Sequence, residues 1–400
     1  MTRAVGSDRR GRGFLASLPA VQRTGIIASV VVGCMLVAGS AAGLALQVGG
    51  QRAGSAPGAA KPSIEVPSTE ATSSSAAASE ATSATSSAAT GSQPAAPSSS
   101  ASRRAALVAF RRSGAVWVAG EMGGNARSVA VSNDGAFSLS PDGTILALVD
   151  ASSGRLSLVT VATGVAVTVG PAAQSTPVWA PDSTWLVYRN DTDAGVGMVR
   201  VAREGAPPRP LGVGISPSIT PDGAWIFAVR ADAAAARHVV RVPATGGAAT
   251  VVSSGSAAAN VSETAVSASR IFFARPGAGS APPMIGSMTL SGAGVKTLVP
   301  SPKATNDVSF TTLRVSPDGV WLAYQESGDD GYSRLFCVPT AGGAPVALSL
   351  RYDSYLIGWS ASGGELLFAE GNTIQGETSR IVAVHPDGSG RRVVTENAGL

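Results

Sequence analysis

From residue 105 onward the chain is written in short apolar bursts separated by polar, proline- or glycine-bearing breaks about every ten residues. Each burst is too short for a helix and rich in Val, Ile, Leu, Phe, Tyr and Trp, which predicts strands joined by tight turns. One stretch recurs. Ser316-Pro317-Asp318-Gly319-Val320-Trp321-Leu322-Ala323-Tyr324 is matched by Ser140-Pro141-Asp142-Gly143 with Ile145-Leu146-Ala147-Leu148, by Ala180-Pro181-Asp182-Ser183 with Trp185-Leu186-Val187-Tyr188, and by Thr220-Pro221-Asp222-Gly223 with Trp225-Ile226-Phe227-Ala228. In each copy Pro pre-sets φ for a turn, Asp bonds its local backbone and Gly closes the turn before a buried strand.

Pro141, Pro181 and Pro221 lie about 40 residues apart, the spacing of a repeat architecture. The units also share a later hairpin, as in Val161-Ala162-Thr163-Gly164, Val242-Pro243-Ala244-Thr245-Gly246-Gly247, Val338-Pro339-Thr340-Ala341-Gly342-Gly343 and Val384-His385-Pro386-Asp387-Gly388. Four short strands per unit in a meander predict an all-β fold, a β-propeller of about seven four-stranded blades, with six as the alternative. Two units have drifted: Ile271-Phe272-Phe273 lacks the Pro-Asp-Gly turn, and Gly358-Trp359-Ser360 lacks its proline. The first unit, from Leu107, offers three strands, so it either lacks its innermost strand or borrows one from the C-terminus.

These units resemble the propeller repeats of the TolB type, related in shape to WD repeats, whose signature runs W-S-P-D-G-x-x-[IL]-[AV]-[FY]. Trp179-Ala180-Pro181-Asp182, Ser140-Pro141-Asp142-Gly143 and Ser316-Pro317-Asp318-Gly319 with Trp321-Leu322-Ala323-Tyr324 carry the likeness, over residues 105–400. The resemblance implies the fold; the repeat itself serves scaffolds, peptidase propellers and ligand binders alike. The N-terminal α/β domain of TolB has no counterpart, and an apolar segment and a linker stand in its place.

Residues 1–24 are basic, and residues 25–48 carry no charge and are dominated by Ile, Val, Leu and Met. About 24 such residues suffice to cross a bilayer, and the basic flank keeps the 1–24 tail in the cytoplasm. A cleaved signal sequence, or lipidation at Cys34 within Val31-Val32-Gly33-Cys34, are the competing readings, and all three export the rest of the chain. Residues 51–104 are Ser, Ala, Thr, Pro and Gly, a composition that cannot offset its ordering entropy and predicts a disordered tether spanning on the order of 40 Å. Its Ser and Thr are also candidate glycosylation sites.

Charge sharpens this picture. The chain carries 30 basic and 26 acidic residues, of which residues 1–104 hold nine and four, leaving 21 against 22 in the repeats. The repeats are near neutral, and no basic face for nucleic acid is expected.

Chemistry is sparse. No P-loop, dinucleotide fingerprint or G-x-S-x-G elbow appears. His238 and His385 share no metal-ligand spacing, and no catalytic, cofactor-binding or metal constellation is expected. Asp191-Thr192-Asp193-Ala194-Gly195 begins like a calcium loop, but its twelfth position is Ala202, so a solvated hairpin is expected. Asp142, Asp182, Asp222 and Asp318 are expected to serve their own turns rather than a carboxylate ring. Cys34 and Cys337 are too remote for a disulfide, and the six Trp, all in the repeats, are expected to pack between blades. The composite expectation is a single-pass membrane protein of a bacterial envelope whose exported propeller binds or scaffolds an envelope protein or cell-wall partner. An enzyme at the central channel and an envelope sensor are the alternatives.

Overall fold

The computed structural model describes residues 106–398 apart from 132–134, 171–172, 193–194, 254, 256–257, 279–280, 302–307, 329–331, 350–352 and 372–378. The readings for 1–24, 25–48 and 51–104 lie outside these residues. Among the described residues no helix is long and apolar enough to cross a membrane.

The described regular structure consists of strands in seven antiparallel sheets, each a simple meander in chain order. Blades 1 to 7 occupy 107–131, 137–170, 178–213, 215–251, 263–300, 309–349 and 353–395. Blade 6 shows the pattern: inner strand Ser309–Val315, second strand Trp321–Ser327, third Ser333–Pro339 and outer Val346–Ser349. The Pro-Asp-Gly turn joins inner to second strand, and the glycine hairpin joins third to outer. Blade count is seven, not six. Among the described residues blade 1 has three strands, Leu107–Arg112, Ala115–Gly120 and Arg127–Val131, and the last described strand, Arg392–Thr395, pairs within blade 7. No strand is borrowed from the C-terminus among the described residues.

A blade is buried on both faces, so adjacent residues of its second strand serve different neighbours. Leu146 packs toward blade 1 and Ala147 toward blade 3; Tyr324 packs toward blade 5 and Ala323 toward blade 7. This is why the bursts read as continuous apolar runs rather than alternating ones. Seven apolar clusters result, one at each blade interface, and the one joining Leu367 and Ile381 to Val108 and Phe110 closes the ring. At about 1.5–3 kcal/mol per large side chain buried, these interfaces supply the main stabilisation.

Polar contacts register the blades. Glycines 143, 223 and 319 close their turns at φ near +70° (70°, 69° and 76°), and Ser183 holds the same place at φ 63°. That backbone costs a serine more than a glycine. The buried Ser183 hydroxyl accepts the Asp142 N–H of the neighbouring blade at 3.0 Å, which offsets the strain. Ring closure adds its own set. Arg112 donates to Thr395 Oγ1 at 2.7 Å and to the Glu396 and Asn397 carbonyls, while the buried Glu121 carboxylate accepts the Ala361 N–H at 2.8 Å. Arg392 donates to the Glu121 carbonyl at 2.7 Å.

Candidate functional site: the axial face of blades 5 to 7

The inner strands are Phe137–Leu139, Val178–Trp179, Ile215–Ile219, Glu263–Val266, Ser309–Val315 and Asp353–Trp359, and successive ones lie against each other around the axis. Pairing with the second strands sets their level. Ile215, Glu263, Thr311 and Tyr355 face Val229, Ala274, Gln325 and Ala369, which hold equivalent places in blades 4 to 7. They therefore form one tier of the axial wall.

The inner strands of blades 4, 6 and 7 each carry a bulge just past this tier. In blades 4 and 6 the extra residue is Ser216 (φ 49°) and Thr312 (φ 55°). A non-glycine residue in this region is strained, and a bulge turns backbone groups out of their own ladder. The freed groups are used by blade 5. Thr264 Oγ1 donates to the Ser216 carbonyl at 3.1 Å, and the Glu263 carboxylate accepts the Thr312 and Leu313 N–H groups. Glu263 thus bridges blades 5 and 6, yet its Oε2 is buried without a hydrogen-bond partner. Burial pushes the Glu263 carboxyl above its ordinary pKa, against the opposing pull of the Arg314 charge and the two N–H groups.

Arg314 is exposed, with one guanidinium N–H on the Leu313 carbonyl at 2.9 Å. On the inner strand of the next blade, blade 7, Tyr355 is 41% and Ile357 36% exposed. The other large exposed apolar residues lie on outer strands or in turns, such as Val131, Val167 and Met122. The axial wall of blades 5 to 7 therefore combines an aromatic ring, an aliphatic side chain, a cation and a protected carboxyl.

The residues singled out in the sequence fall elsewhere. Asp142, Asp182, Asp222 and Asp318 each accept N–H from the residue two places on, at 3.0–3.1 Å, as turn residues do. Asp142 does more, accepting Arg203 of blade 3 as well. Partial burial alone would raise its pKa, but bonds from Ser140, Thr144 and Arg203 hold it down to about 2. His238 meets Asp232 at 2.9 Å, and His385 meets the Gly364 carbonyl at 3.0 Å. Asp191 lies one residue before the end of the strand Trp185–Thr192 and pairs with Arg189 at 2.5 Å, so it belongs to a hairpin, of which 193–194 lie outside the described residues. Cys337 is buried in blade 6. Among the described residues no group of three or more His, Cys, Asp or Glu is arranged to hold a metal.

The tryptophans pack between blades, as expected, and two of them also hydrogen-bond across a blade interface. Trp179 Nε1 donates to the Ser138 carbonyl and Trp359 Nε1 to the Arg314 carbonyl, both at 3.2 Å. In each case the signature Trp ties its blade to the inner strand of the blade before it. A cavity of about 370 Å³ also lies between blades 2 and 3, lined by Asp150, Ser152, Ser153, Gln174 and Ser175. The Asp150 carboxylate there is satisfied by Ser152 and Ser153 of its own turn.

Sequence reasoning missed Glu263, Arg314 and Tyr355. Glu263 sits in the drifted blade 5, where no turn motif flags its inner strand, and a bulge is not visible in an apolar pattern.

No protein-family model matches the chain, and no curated protein matches it by sequence. Solved structures do match. A prolyl endopeptidase aligns at TM-score 0.55 and 12% identity over 75% of this chain, which spans 49% of that protein, about half its length. Oligogalacturonate lyase from Vibrio parahaemolyticus aligns at TM-score 0.51 and 11% identity, covering 72% of this chain and 84% of that one. A putative TolB from Agrobacterium tumefaciens aligns at TM-score 0.46 and 16% identity, covering 61% and 88%. At these identities likeness speaks for fold and not for activity. With seven apolar blade interfaces and seven meander sheets, the chain is a seven-bladed β-propeller, the fold it shares with the prolyl endopeptidase and the lyase.

Proposed function

We propose that this protein is a membrane-tethered, extracytoplasmic binding module that takes its partner at the axial face of blades 5 to 7. One observation carries the reading: among the described residues, Tyr355 and Ile357 are the large apolar inner-strand side chains that are exposed, and the neighbouring inner strand of blade 6 carries the exposed Arg314. Exposed aromatic and aliphatic side chains next to a guanidinium are the composition of a recognition patch. They suit a polypeptide or cell-wall polymer that offers an apolar group close to an anionic one. The apolar segment 25–48 and the linker 51–104 support the tether.

The test places a photo-crosslinking amino acid at Tyr355 in the full-length protein in its native membrane. The expected result is one dominant envelope partner, lost when Arg314→Ala or Ile357→Ser is added. A folded protein that crosslinks to nothing, or to the same partner in both variants, overturns it.

A second reading is an enzyme at the same face, and Glu263 favours it. A carboxyl with a raised pKa beside a cation is the arrangement of a general acid. The prolyl endopeptidase and oligogalacturonate lyase that share the fold are enzymes. A turnover screen on peptide and polyuronide substrates decides between the two, with Glu263→Gln as the control that must abolish any activity found.

A further inference from the structure

We propose that Arg200 and Arg209 form a phosphate-binding site in the outer cleft between blades 3 and 4, separate from the axial face. The two arginines are direct ladder partners, Arg200 on the third strand Gly195–Ala202 and Arg209 on the outer strand Arg209–Val213. Directly opposite residues of an antiparallel pair hold their Cβ atoms about 5 Å apart on one face of the sheet, and like charges so placed repel. Both side chains are turned to blade 4. Arg200 lies over the ring of Trp185, 4.6 Å from its centroid, and Trp185 packs in one apolar cluster with Val242 and Ala244 of blade 4. Arg209 lies against Gly246 of blade 4, where a Cβ would stand 3.0–3.1 Å from its Nη2, Cζ and Nε.

Other blades show what is missing here. Blades 1 and 7 also carry an arginine at this place on the outer strand, Arg127 and Arg392, opposite Val118 and Ala383. Arg127 donates to the Val161 carbonyl of blade 2 at 2.5 Å. Arg392 donates to the Glu121 carbonyl of blade 1 at 2.7 Å and pairs with Glu365. Among the described residues Arg209 has neither an acceptor nor a carboxylate partner, and the same holds for Arg200, whose Nε is buried without a hydrogen bond. Arg241 of blade 4 stacks on Trp225 at 4.4 Å with its Nε buried in the same way, but its ladder partner is Thr250 and not a second cation.

Two guanidiniums with unused N–H groups at one point call for an oxyanion. A buried donor without an acceptor is costly, and the planar fork of each guanidinium fits phosphate oxygens in pairs. A phosphate monoester carries close to two negative charges at neutral pH, which matches the two cations, whereas a carboxylate supplies one. Arg209 is exposed and Arg200 half-buried, so the outer arginine meets the ligand from solvent and the inner one is shielded from competing water.

Thermal unfolding of the full-length protein in detergent, titrated with sodium phosphate against sodium chloride at constant ionic strength and neutral pH, tests this. The phosphate-dependent gain in Tm is expected to be larger in the native protein than in Arg200→Gln or Arg209→Gln by about 2 °C or more. Arg241→Gln is expected to keep the full gain. Without phosphate and at low salt, Arg209→Gln is expected to melt above the native protein, because one of two facing charges is gone. Equal phosphate gains in the native protein and Arg209→Gln overturn the proposal, and so does an equal gain from sodium acetate. Should Arg200→Gln not fold, Arg209→Gln decides alone, since that side chain is exposed. Glycerol phosphate then separates the sources: a gain equal to that of inorganic phosphate supports a site for a lipid or polymer phosphate group, and a gain with inorganic phosphate alone supports a site for the free ion.

Discussion

Tyr188 shows how much is settled at a single residue. Its ring is fully buried between blades 2 and 3, and burial pushes its hydroxyl pKa up to about 12, but the hydroxyl has no hydrogen-bond partner. The same oxygen would lie 2.4 Å from a Cβ at position 170, which is why a glycine stands there. Since the hydroxyl was desolvated without compensation, Tyr188→Phe is expected to leave stability unchanged or raise it by up to about 1 kcal/mol, read as a urea midpoint. Cys337 is the converse case of a reactive group made inert. Fully buried, with its thiol pKa pushed up by desolvation, it is expected to react with a thiol reagent only as fast as the propeller unfolds. Labelling at Cys337 in the native protein within minutes, read in a Cys34→Ser background, would contradict that. Neither result is legible in the sequence, which shows a Tyr and a Cys in strands but not which polar atoms their neighbours leave unpaired.

At the scale of an element, the bulged inner strand of blade 6 and the carboxyl of blade 5 depend on each other. Glu263→Ala leaves the Thr312 and Leu313 N–H groups without their acceptor and is expected to cost about 1–3 kcal/mol. Glu263→Gln keeps an acceptor and is expected to cost less. The pH dependence has a definite sign. Because the folded pKa is raised above the unfolded value, the stability linked to this group is complete at pH below the unfolded pKa and lost as pH rises through the folded one. Urea midpoints between pH 4 and pH 8 should therefore decline more in the native protein than in Glu263→Gln, and parallel curves would show that the carboxyl is not perturbed. The recurring turn was legible to the residue, down to the Asp that accepts the N–H two places on. The bulge was not, because it inserts one residue into a strand without changing the apolar pattern around it.

For the whole molecule the decisive contact is the one between the two ends of the propeller. Apolar packing at the interface of blades 7 and 1 resembles the other six, but here no continuous chain links the blades, and Arg112, Glu121 and Arg392 fasten them instead. Glu121→Ala removes a buried acceptor of the Ala361 N–H and is expected to cost about 1–3 kcal/mol, read by denaturant unfolding. Substituting an exposed acid such as Glu204 should change the midpoint little. An equal loss at both positions would mean that the closing contact carries no special weight.

The sequence by itself determined the architecture. Forty-residue spacing, Pro-Asp turns and apolar bursts are local signals, each set by φ preference and by strands buried on both faces, and they suffice for a propeller. Even the drifted units were recognisable by their strands. What only the tertiary structure decided is how the ring meets itself and what its axis presents. Seven blades rather than six, the hydrogen bonds at the ring's closure and the exposure of Tyr355, Ile357 and Arg314 all depend on residues far apart in the chain. Which atoms face the axis follows from register and bulges, and those are fixed by neighbours that a linear pattern does not name.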